Sequence, residues 1–140
     1  MKVRFKKLSA EAVMPKKAHK EDAGFDLTAI DAQSDIDGNV VFHTGIAVEI
    51  PEGYVGFVFP RSSNAKTDLI LTNSVGVIDS NYRGEITLKY RPYSGMKKGY
   101  NFGDRVGQLI IMPFPEIEFV EADELSETDR GNGGYGSTGK

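Results

Sequence analysis

The sequence predicts an all-β domain. Short runs of apolar or alternating residues recur along the chain, and turn sequences such as Asp37-Gly38-Asn39 and Pro51-Glu52-Gly53 separate them. No window of ten or more residues carries the apolar period of about 3.6 residues that indicates a helix. Many short strands at this spacing are typical of a sandwich, a jelly roll or a barrel.

The individual elements follow from where each apolar run begins and ends. One short helix is predicted around residues 62–66, where Ser62 or Ser63 could cap its start. Asp26 lies in a further alternating segment near the start of the chain. The main predicted strands are Val40–Phe42, Ile46–Ile50, Tyr54–Phe59, Val75–Ile78, Glu85–Arg91, Val106–Met112 and Phe114–Val120.

Composition limits the classes of protein that the chain can belong to. Its 140 residues fit one domain, and 39% hydrophobic with 26% charged residues is an ordinary globular composition. The net charge of −3 argues against a nucleic-acid coat protein. The absence of cysteine excludes a disulfide scaffold and a thiol nucleophile. No apolar run approaches the length of a membrane span, so a soluble cytoplasmic protein is expected.

The last eleven residues, RGNGGYGSTGK, differ from the rest. Five of them are glycine, which loses the most backbone entropy on ordering. We therefore expect residues 1–129 to form the β domain and residues 130–140 a flexible tail that orders against a ligand. Arg130, Ser137 and Thr138 offer phosphate donors, and the Tyr135 ring offers a flat face to a base. A plain flexible terminus explains the same composition.

Four other segments carry polar residues at the ends of predicted strands. PRSSN places Arg61 at a predicted helix start, which suits an anion, although taken alone the segment favours a capped helix with a surface arginine. NSVGVIDSNYRGE is expected to form a hairpin in which Asp79 could accept a proton from water, or simply bond its own turn. AGFDL places Asp26 in an alternating strand, where a plain outward-facing polar residue would also fit. GDRVGQLIIMP holds Gln108 inside an apolar strand, where its amide could bind a ligand or bond neighbouring backbone.

Together these five segments resemble the trimeric deoxyuridine triphosphatase (dUTPase) family. AGFDL, PRSS, NSVGVIDSNYRGE, GDRVGQLIIMP and RGNGGYGSTGK match the family's motifs, in order, over residues 23–140. The resemblance implies a β jelly roll, a homotrimer with active sites shared between subunits, and hydrolysis of dUTP to dUMP and pyrophosphate. That reaction lowers dUTP and supplies the precursor of dTMP.

The resemblance also implies a role for each matching residue. Asp79 activates the water that attacks the α-phosphorus, and Asp26 supports a Mg²⁺ ion indirectly, through water. Tyr82 packs under the sugar and excludes a ribose, while the segment from Asn73 to Thr87 identifies uracil through its backbone. The full set of implied substrate-binding residues is Arg61, Ser62, Ser63, Asn73, Gly76, Val77, Ile78, Tyr82, Thr87, Gln108, Arg130, Tyr135, Ser137 and Thr138.

Two other functions compete with this interpretation. A dCTP deaminase has a related fold, but it needs a glutamate-based site for amine hydrolysis, and the intact GVIDSNYRG with Asp79 favours the triphosphatase. A non-catalytic trimer that uses the nucleotide as a switch would keep the same binding motifs. The expected partners are dUTP and two further copies of the chain, with no nucleic acid and no membrane.

Overall fold

Ten antiparallel strands build the part of the chain that the structure, a computed structural model, describes, namely residues 1–94 and 98–137. A five-residue 3-10 helix, Ser62–Lys66, lies between the sixth and seventh strands. In chain order the strands are β1 Arg4–Lys7, β2 Phe25–Thr28, β3 Asp31–Ser34, β4 Val40–His43, β5 Ile46–Glu49, β6 Tyr54–Phe59, β7 Leu69–Leu71, β8 Gly76–Ile78, β9 Thr87–Pro92 and β10 Arg105–Pro113.

The strands form three sheets around one core. One sheet has the order β2-β10-β6-β8, the second has the order β3-β4-β9-β7, and β1 pairs with β5 alone. The core lies between them and contains the fully buried side chains of Leu27, Leu88, Tyr90, Val106 and Ile46. The prediction of an all-β domain is therefore confirmed.

Tyr90 shows how the two four-stranded sheets are tied together. Its ring is fully buried and packs edge-on against Phe42, with 5.8 Å between the centroids. Its hydroxyl donates a hydrogen bond of 2.6 Å to the Val106 carbonyl, so β9 in one sheet is bonded to β10 in the other. Burial raises the pKa of Tyr90 well above its usual range, which keeps this donor protonated.

The prediction of a strand at Phe114–Val120 is wrong. β10 ends at Pro113, and residues 114–120 form no strand in the described part of the chain. Pro113 and Pro115 carry no N–H for a ladder, and the side chains of Ile117 and Phe119 are 67% and 97% exposed. The alternating apolar pattern is present, but no strand among residues 1–94 and 98–137 pairs with it.

The predicted hairpin between Asn73 and Thr87 is also wrong in its pairing. β8 pairs with β6, whereas β9 pairs with β4 and β7, so the two strands belong to different sheets. The eight residues 79–86 cross from one sheet to the other. Both strands were predicted from their apolar patterns, but a pattern of alternation does not identify the partner strand.

The short helix is present where the sequence places it, but neither serine caps it. Arg61 occupies the N-cap position in an extended conformation and makes no side-chain capping bond. The Ser63 hydroxyl instead accepts a hydrogen bond of 3.3 Å from Arg61 Nη1.

Three strands, β1, β3 and β7, were not predicted from the sequence. β1 and β3 are exposed along their whole length and carry no clear apolar alternation.

Across the described residues, no helix is long and apolar enough to cross a membrane.

Replacing Tyr90 by phenylalanine tests the bond between the sheets. Tyr90→Phe leaves the buried Val106 carbonyl without its partner, so the free energy of unfolding is expected to fall by about 1–3 kcal/mol. Urea unfolding at one fixed protein concentration measures it. Tyr93→Phe is the matched control, because Tyr93 is largely exposed and its bond to the Thr67 carbonyl is longer, at 3.2 Å. Equal losses in both variants would contradict this role of Tyr90.

Candidate functional site

Four of the five sequence motifs lie on one sheet or at its edge. In the order β2-β10-β6-β8, β2 carries Asp26, β10 carries Gln108, β6 runs into Pro60 and Arg61, and β8 carries Gly76–Ile78. Gln108 lies opposite Asp26 on one side and opposite Phe59 on the other. Segments distant in the chain are therefore held side by side by the strand register.

Asp26 joins two arginines that come from different elements. Its Oδ1 lies 2.6 Å from Arg61 Nε, and its Oδ2 accepts a bond of 2.9 Å from Arg105 Nη1. The Asp26 side chain is 16% exposed, and the Arg61 side chain is 24% exposed. One half-buried carboxylate thus fixes two guanidinium groups, leaving an excess of positive charge at this end of the sheet.

A β-bulge aims Arg105 at Asp26. The β2–β10 register advances from Arg105 opposite Thr28 to Gly107 opposite Leu27, so β10 carries one extra residue at that point. Bulges bend a strand and redirect its side chains. Gly107 then lies so close to Leu88 that an added Cβ would be 2.3 Å from Leu88 Cδ2. Arg105 thus lies at the bulge, and its Nη1 reaches Asp26 Oδ2 across the strand pair.

A basic cleft of about 520 Å³ opens beside the two arginines. Among the described residues that line it, Arg61, Lys66, Lys98 and Arg105 are cationic and only Asp104 is acidic. Tyr100 lines it too and donates a bond of 3.0 Å to Asn64 Oδ1. Burial raises the pKa of Tyr100, against the opposing charge of Arg61, so its phenol stays neutral. The cleft has the charge of an anion site.

Gln108 bonds to the protein backbone rather than pointing freely into the cleft. Its Nε2 donates a bond of 3.1 Å to the Pro60 carbonyl, directly before Arg61. The sequence left open whether this amide binds a ligand or bonds neighbouring backbone, and the structure shows the backbone bond. A carboxamide has two donor hydrogens, so one remains for a ligand.

Asp79 begins a turn that is closed by hydrogen bonds from the side chains of Tyr82 and Arg83. The Tyr82 amide donates to the Asp79 carbonyl at 3.1 Å, and the Tyr82 hydroxyl donates to the Glu85 carbonyl at 2.9 Å. Arg83 Nη1 donates to the carbonyls of Ser80 and Tyr82, at 2.6 and 2.9 Å. Asp79 itself is exposed, and its carboxylate makes no hydrogen bond or ion pair with the described residues. It is therefore accessible to a water molecule.

Asp79 and Arg61 lie at opposite ends of a strand pair. Ile78 faces Gly56 in the antiparallel β6–β8 register, so Asp79 continues toward Val55 while Arg61 follows Phe59. The four steps from Val55 to Phe59 span roughly 13 Å at the usual rise of a strand. Arg61 is also held in place by Asp26. A single chain therefore does not bring the predicted water-activating carboxylate to the phosphate-binding arginine.

β8 is an edge strand, because it pairs only with β6 at the end of its sheet. Half of the backbone N–H and C=O groups of Gly76–Ile78 consequently point away from the sheet. Gly76 also packs closely, since an added Cβ would lie 3.2 Å from Val58 Cβ and 3.5 Å from Asn73 Nδ2. This arrangement brings Asn73 near the same edge.

The remaining predicted residues are not gathered at the cleft. Ser62 and Thr87 are exposed, and Thr87 begins β9 in the other sheet. Arg130 Nε donates to the Gly133 carbonyl at 2.9 Å, and the hydrogen bonds of residues 130–137 stay within residues 128–137. Tyr135 is fully exposed, and Ser137 lies in the same series of turns. Thr138 lies outside the described residues.

The described side chains offer a metal ion little direct coordination. No group of three or more carboxylate or histidine side chains suited to a metal is present among them. Both oxygens of Asp26 are already paired with an arginine, Oδ1 with Arg61 and Oδ2 with Arg105. This donor set fits a Mg²⁺ ion that is held by substrate phosphates and water, because Mg²⁺ retains several waters when it binds phosphates.

Comparison with known proteins decides the family. The family model described as dUTPase matches residues 10–139. The chain belongs to the dUTPase family. A deoxyuridine 5'-triphosphate nucleotidohydrolase of Nautilia profundicola is 42% identical over 142 residues, covering all of both chains. The enzyme of that name from Thermobifida fusca is 40% identical over 144 residues, covering 99% of this chain and 79% of the relative.

Solved dUTPase structures share the fold. The Staphylococcus bacteriophage 80alpha dUTPase with dUpNHpp has a TM-score of 0.84 and 29% identity, covering 99% of each chain. A variant dUTPase from phage phi11 of S. aureus, described as revealing the coordination of a structural Mg(II) ion, has a TM-score of 0.77 and 28% identity. It covers 89% of this chain and 98% of the phage chain. The prediction of a dUTPase-like β fold is confirmed.

Two residues that line the cleft, Arg105 and Tyr100, were not predicted as site residues from the sequence. Arg105 stands within the motif GDRVGQLIIMP, so its charge beside Gln108 was a usable signal. Its direction depends on the bulge, which the apolar pattern does not reveal. Tyr100 lies outside the five motifs of the dUTPase family, and only the fold places it at the cleft.

Asp26→Asn tests the charge balance beneath the cleft. Removing the carboxylate leaves Arg61 and Arg105 facing each other unpaired, so the free energy of unfolding is expected to fall by about 1–3 kcal/mol, most strongly at low salt. Urea unfolding at two salt concentrations measures it. Glu49→Gln is the control, because Glu49 also pairs with two arginines, Arg4 and Arg83, but both are exposed, and exposed pairs contribute about 1 kcal/mol or less each. Equal, salt-independent losses would contradict the proposed charge balance.

Proposed function

We propose that this protein hydrolyses dUTP to dUMP and pyrophosphate. The observation that carries the proposal is the basic cleft at the ends of β6 and β10, where one half-buried carboxylate fixes two arginines. A triphosphate carries about four negative charges at neutral pH, and an arginine guanidinium can donate two parallel hydrogen bonds to phosphate oxygens. The match to the dUTPase family over residues 10–139 supports the choice of nucleotide.

In the proposed reaction Asp79 orients a water molecule in line with the α-phosphorus. The water oxygen bonds to phosphorus, the bond from the α-phosphorus to the bridging oxygen breaks, and pyrophosphate leaves with the electron pair. Asp79 accepts the proton of the water. Its exposed carboxylate, free of partners in the described chain, supports this role. The step depends mainly on positioning and charge stabilisation.

Arg61 and Ser63 at the helix start bind the phosphates, and Arg105 and Gln108 lie beside them. Ser62 follows Arg61 at the same helix start and adds a second hydroxyl. The Arg61–Asp26 pair supports this assignment, because a guanidinium already oriented loses less entropy on binding. Mg²⁺ would be held by the phosphates and water, with Asp26 reaching it only through water. When bound, it neutralises charge on the phosphates.

The edge strand β8 provides recognition of uracil. Outward-facing backbone groups of Gly76, Val77 and Ile78 can pair with the edge of the base, assisted by the Asn73 amide. Cytosine reverses donor and acceptor at its 4-position and would leave a buried group unpaired, which is costly. The thymine methyl would collide with the backbone. Tyr82 packs under the deoxyribose and excludes a 2′-hydroxyl, with Thr87 closing the segment.

The active site is completed by further copies of the chain in a homotrimer. The separation of Asp79 from Arg61 in one chain supports this arrangement. Residues 1–129 form the β domain, and residues 130–140 close over the nucleotide as a lid. In the lid Arg130, Ser137 and Thr138 contact phosphates, and the Tyr135 ring stacks on uracil. Since the substrate is a free nucleotide, we place the protein in the cytoplasm.

Substrate choice is tested by measuring pyrophosphate release with dUTP, dCTP, dTTP and UTP. We expect rapid release from dUTP alone, and a strong dependence on added Mg²⁺. The Asp79→Asn variant is expected to bind a non-hydrolysable dUTP analogue like the unmodified protein but to lose turnover by a factor of about 10²–10⁴.

Two outcomes would contradict the proposal. If the unmodified protein leaves dUTP intact in the presence of Mg²⁺, the proposed activity is wrong. If Asp79→Asn retains near-full turnover, the activity stands but the role of Asp79 does not. Asp37→Asn is the matched control, because Asp37 lies in an exposed turn between β3 and β4 and is expected to keep full activity.

A further inference from the structure

Gly24, immediately before β2, leaves the space that the Gln108 side chain occupies. A Cβ built on Gly24 would lie 2.3 Å from Gln108 Oε1 and 3.1 Å from Gln108 Cβ and Cδ. Gly24 does not adopt the left-handed backbone conformation, so the constraint is one of space. Any side chain at position 24 would displace the Gln108 carboxamide.

The other end of that carboxamide fixes the start of the phosphate-binding segment. Gln108 Nε2 donates 3.1 Å to the Pro60 carbonyl, and Pro60 directly precedes Arg61. Proline has no backbone N–H, so its carbonyl is the backbone group that can take part in a hydrogen bond here. Gln108 thus contacts Gly24, beside β2, and bonds to the segment that follows β6.

We infer that Gly24 is a positioning residue for the triphosphate end of the substrate, and that it acts through the Gln108 carboxamide. The inference rests on the proposed function for its substrate, but the contact between Gly24 and Gln108 is independent of it. A methyl group at position 24 would move the carboxamide and release the Pro60 carbonyl. The phosphate-binding residues that follow would then lose their fixed starting point, while the uracil-binding edge of β8 would be untouched.

The test is a double-mutant cycle with Gly24→Ala, Gln108→Ala and the combined variant. Loss of one positioning hydrogen bond is expected to raise the KM for dUTP about 3–10-fold in Gly24→Ala. Inhibition by dUDP should weaken by a similar factor, while inhibition by dUMP and the preference for dUTP over UTP stay unchanged. A general structural defect would instead lower kcat for every substrate together.

The combined variant isolates the coupling. In the Gln108→Ala background Oε1 and Cδ are gone and only the residue-108 Cβ remains, 3.1 Å from an added Cβ. Adding Gly24→Ala should then change KM by less than about twofold. Ala32→Ser is the matched control for an added atom, because Ala32 lies exposed on β3 in the other sheet. It is expected to match the unmodified protein. Equal effects of Gly24→Ala in both backgrounds would overturn the inference.

Thermal unfolding of the same four proteins decides the matter when activity cannot. If Gly24→Ala fails to fold and the combined variant folds, the coupling through Gln108 is supported. If both fail to fold, Gly24 has another structural role and the inference is wrong. If the unmodified protein does not hydrolyse dUTP, the proposed function fails, and the melting temperatures then test the inference alone. If the shift in the combined variant equals the sum of the shifts in the two single variants, Gly24 does not act through Gln108 and the inference is overturned.

Discussion

The antiparallel pairing of β6 with β8 is the constraint on which the proposed chemistry depends. Arg61 follows one strand at one end of the pair, and Asp79 follows the other strand at the opposite end. Neither can move far, because Asp26 holds Arg61 and the side chains of Tyr82 and Arg83 close the turn after Asp79. The residues proposed to bind phosphate and to activate water are therefore separated within one chain, which supports the proposal of a site shared between copies.

Charge explains why the phosphate end of the site can exist before substrate arrives. Two guanidinium groups close together repel, and Asp26 offsets that repulsion from a half-buried position. Each arginine keeps N–H groups that Asp26 does not use, and the lysines of the cleft add charge without a fixed geometry. The Gln108 carboxamide adds an uncharged hydrogen bond between β10 and Pro60, which follows β6. The arrangement is prepared for an anion and needs little reorganisation to bind one.

Local sequence predicted some parts of this molecule and not others, for physical reasons. β6 was predicted at its full length because its alternation is clear, and the motifs identified the family. Partner strands were not predictable from alternation, so β8 and β9 were wrongly joined in one hairpin. The segment after Pro113 has the pattern of a strand, yet beyond the bond from the Phe114 amide to the Gly53 carbonyl it pairs with no strand in the described residues. The direction of Arg105 depends on a bulge, which only the register shows.

Mixing two inactive variants tests the shared site most directly. Asp79→Asn and Arg61→Ala each remove one function, so each assembly alone should have almost no dUTP turnover. When the two are unfolded together and refolded as random trimers, about one quarter of the sites would combine an intact Asp79 with an intact Arg61 from another copy. The account predicts recovery of about that fraction of the unmodified turnover. No recovery, in trimers verified to be mixed, would contradict it.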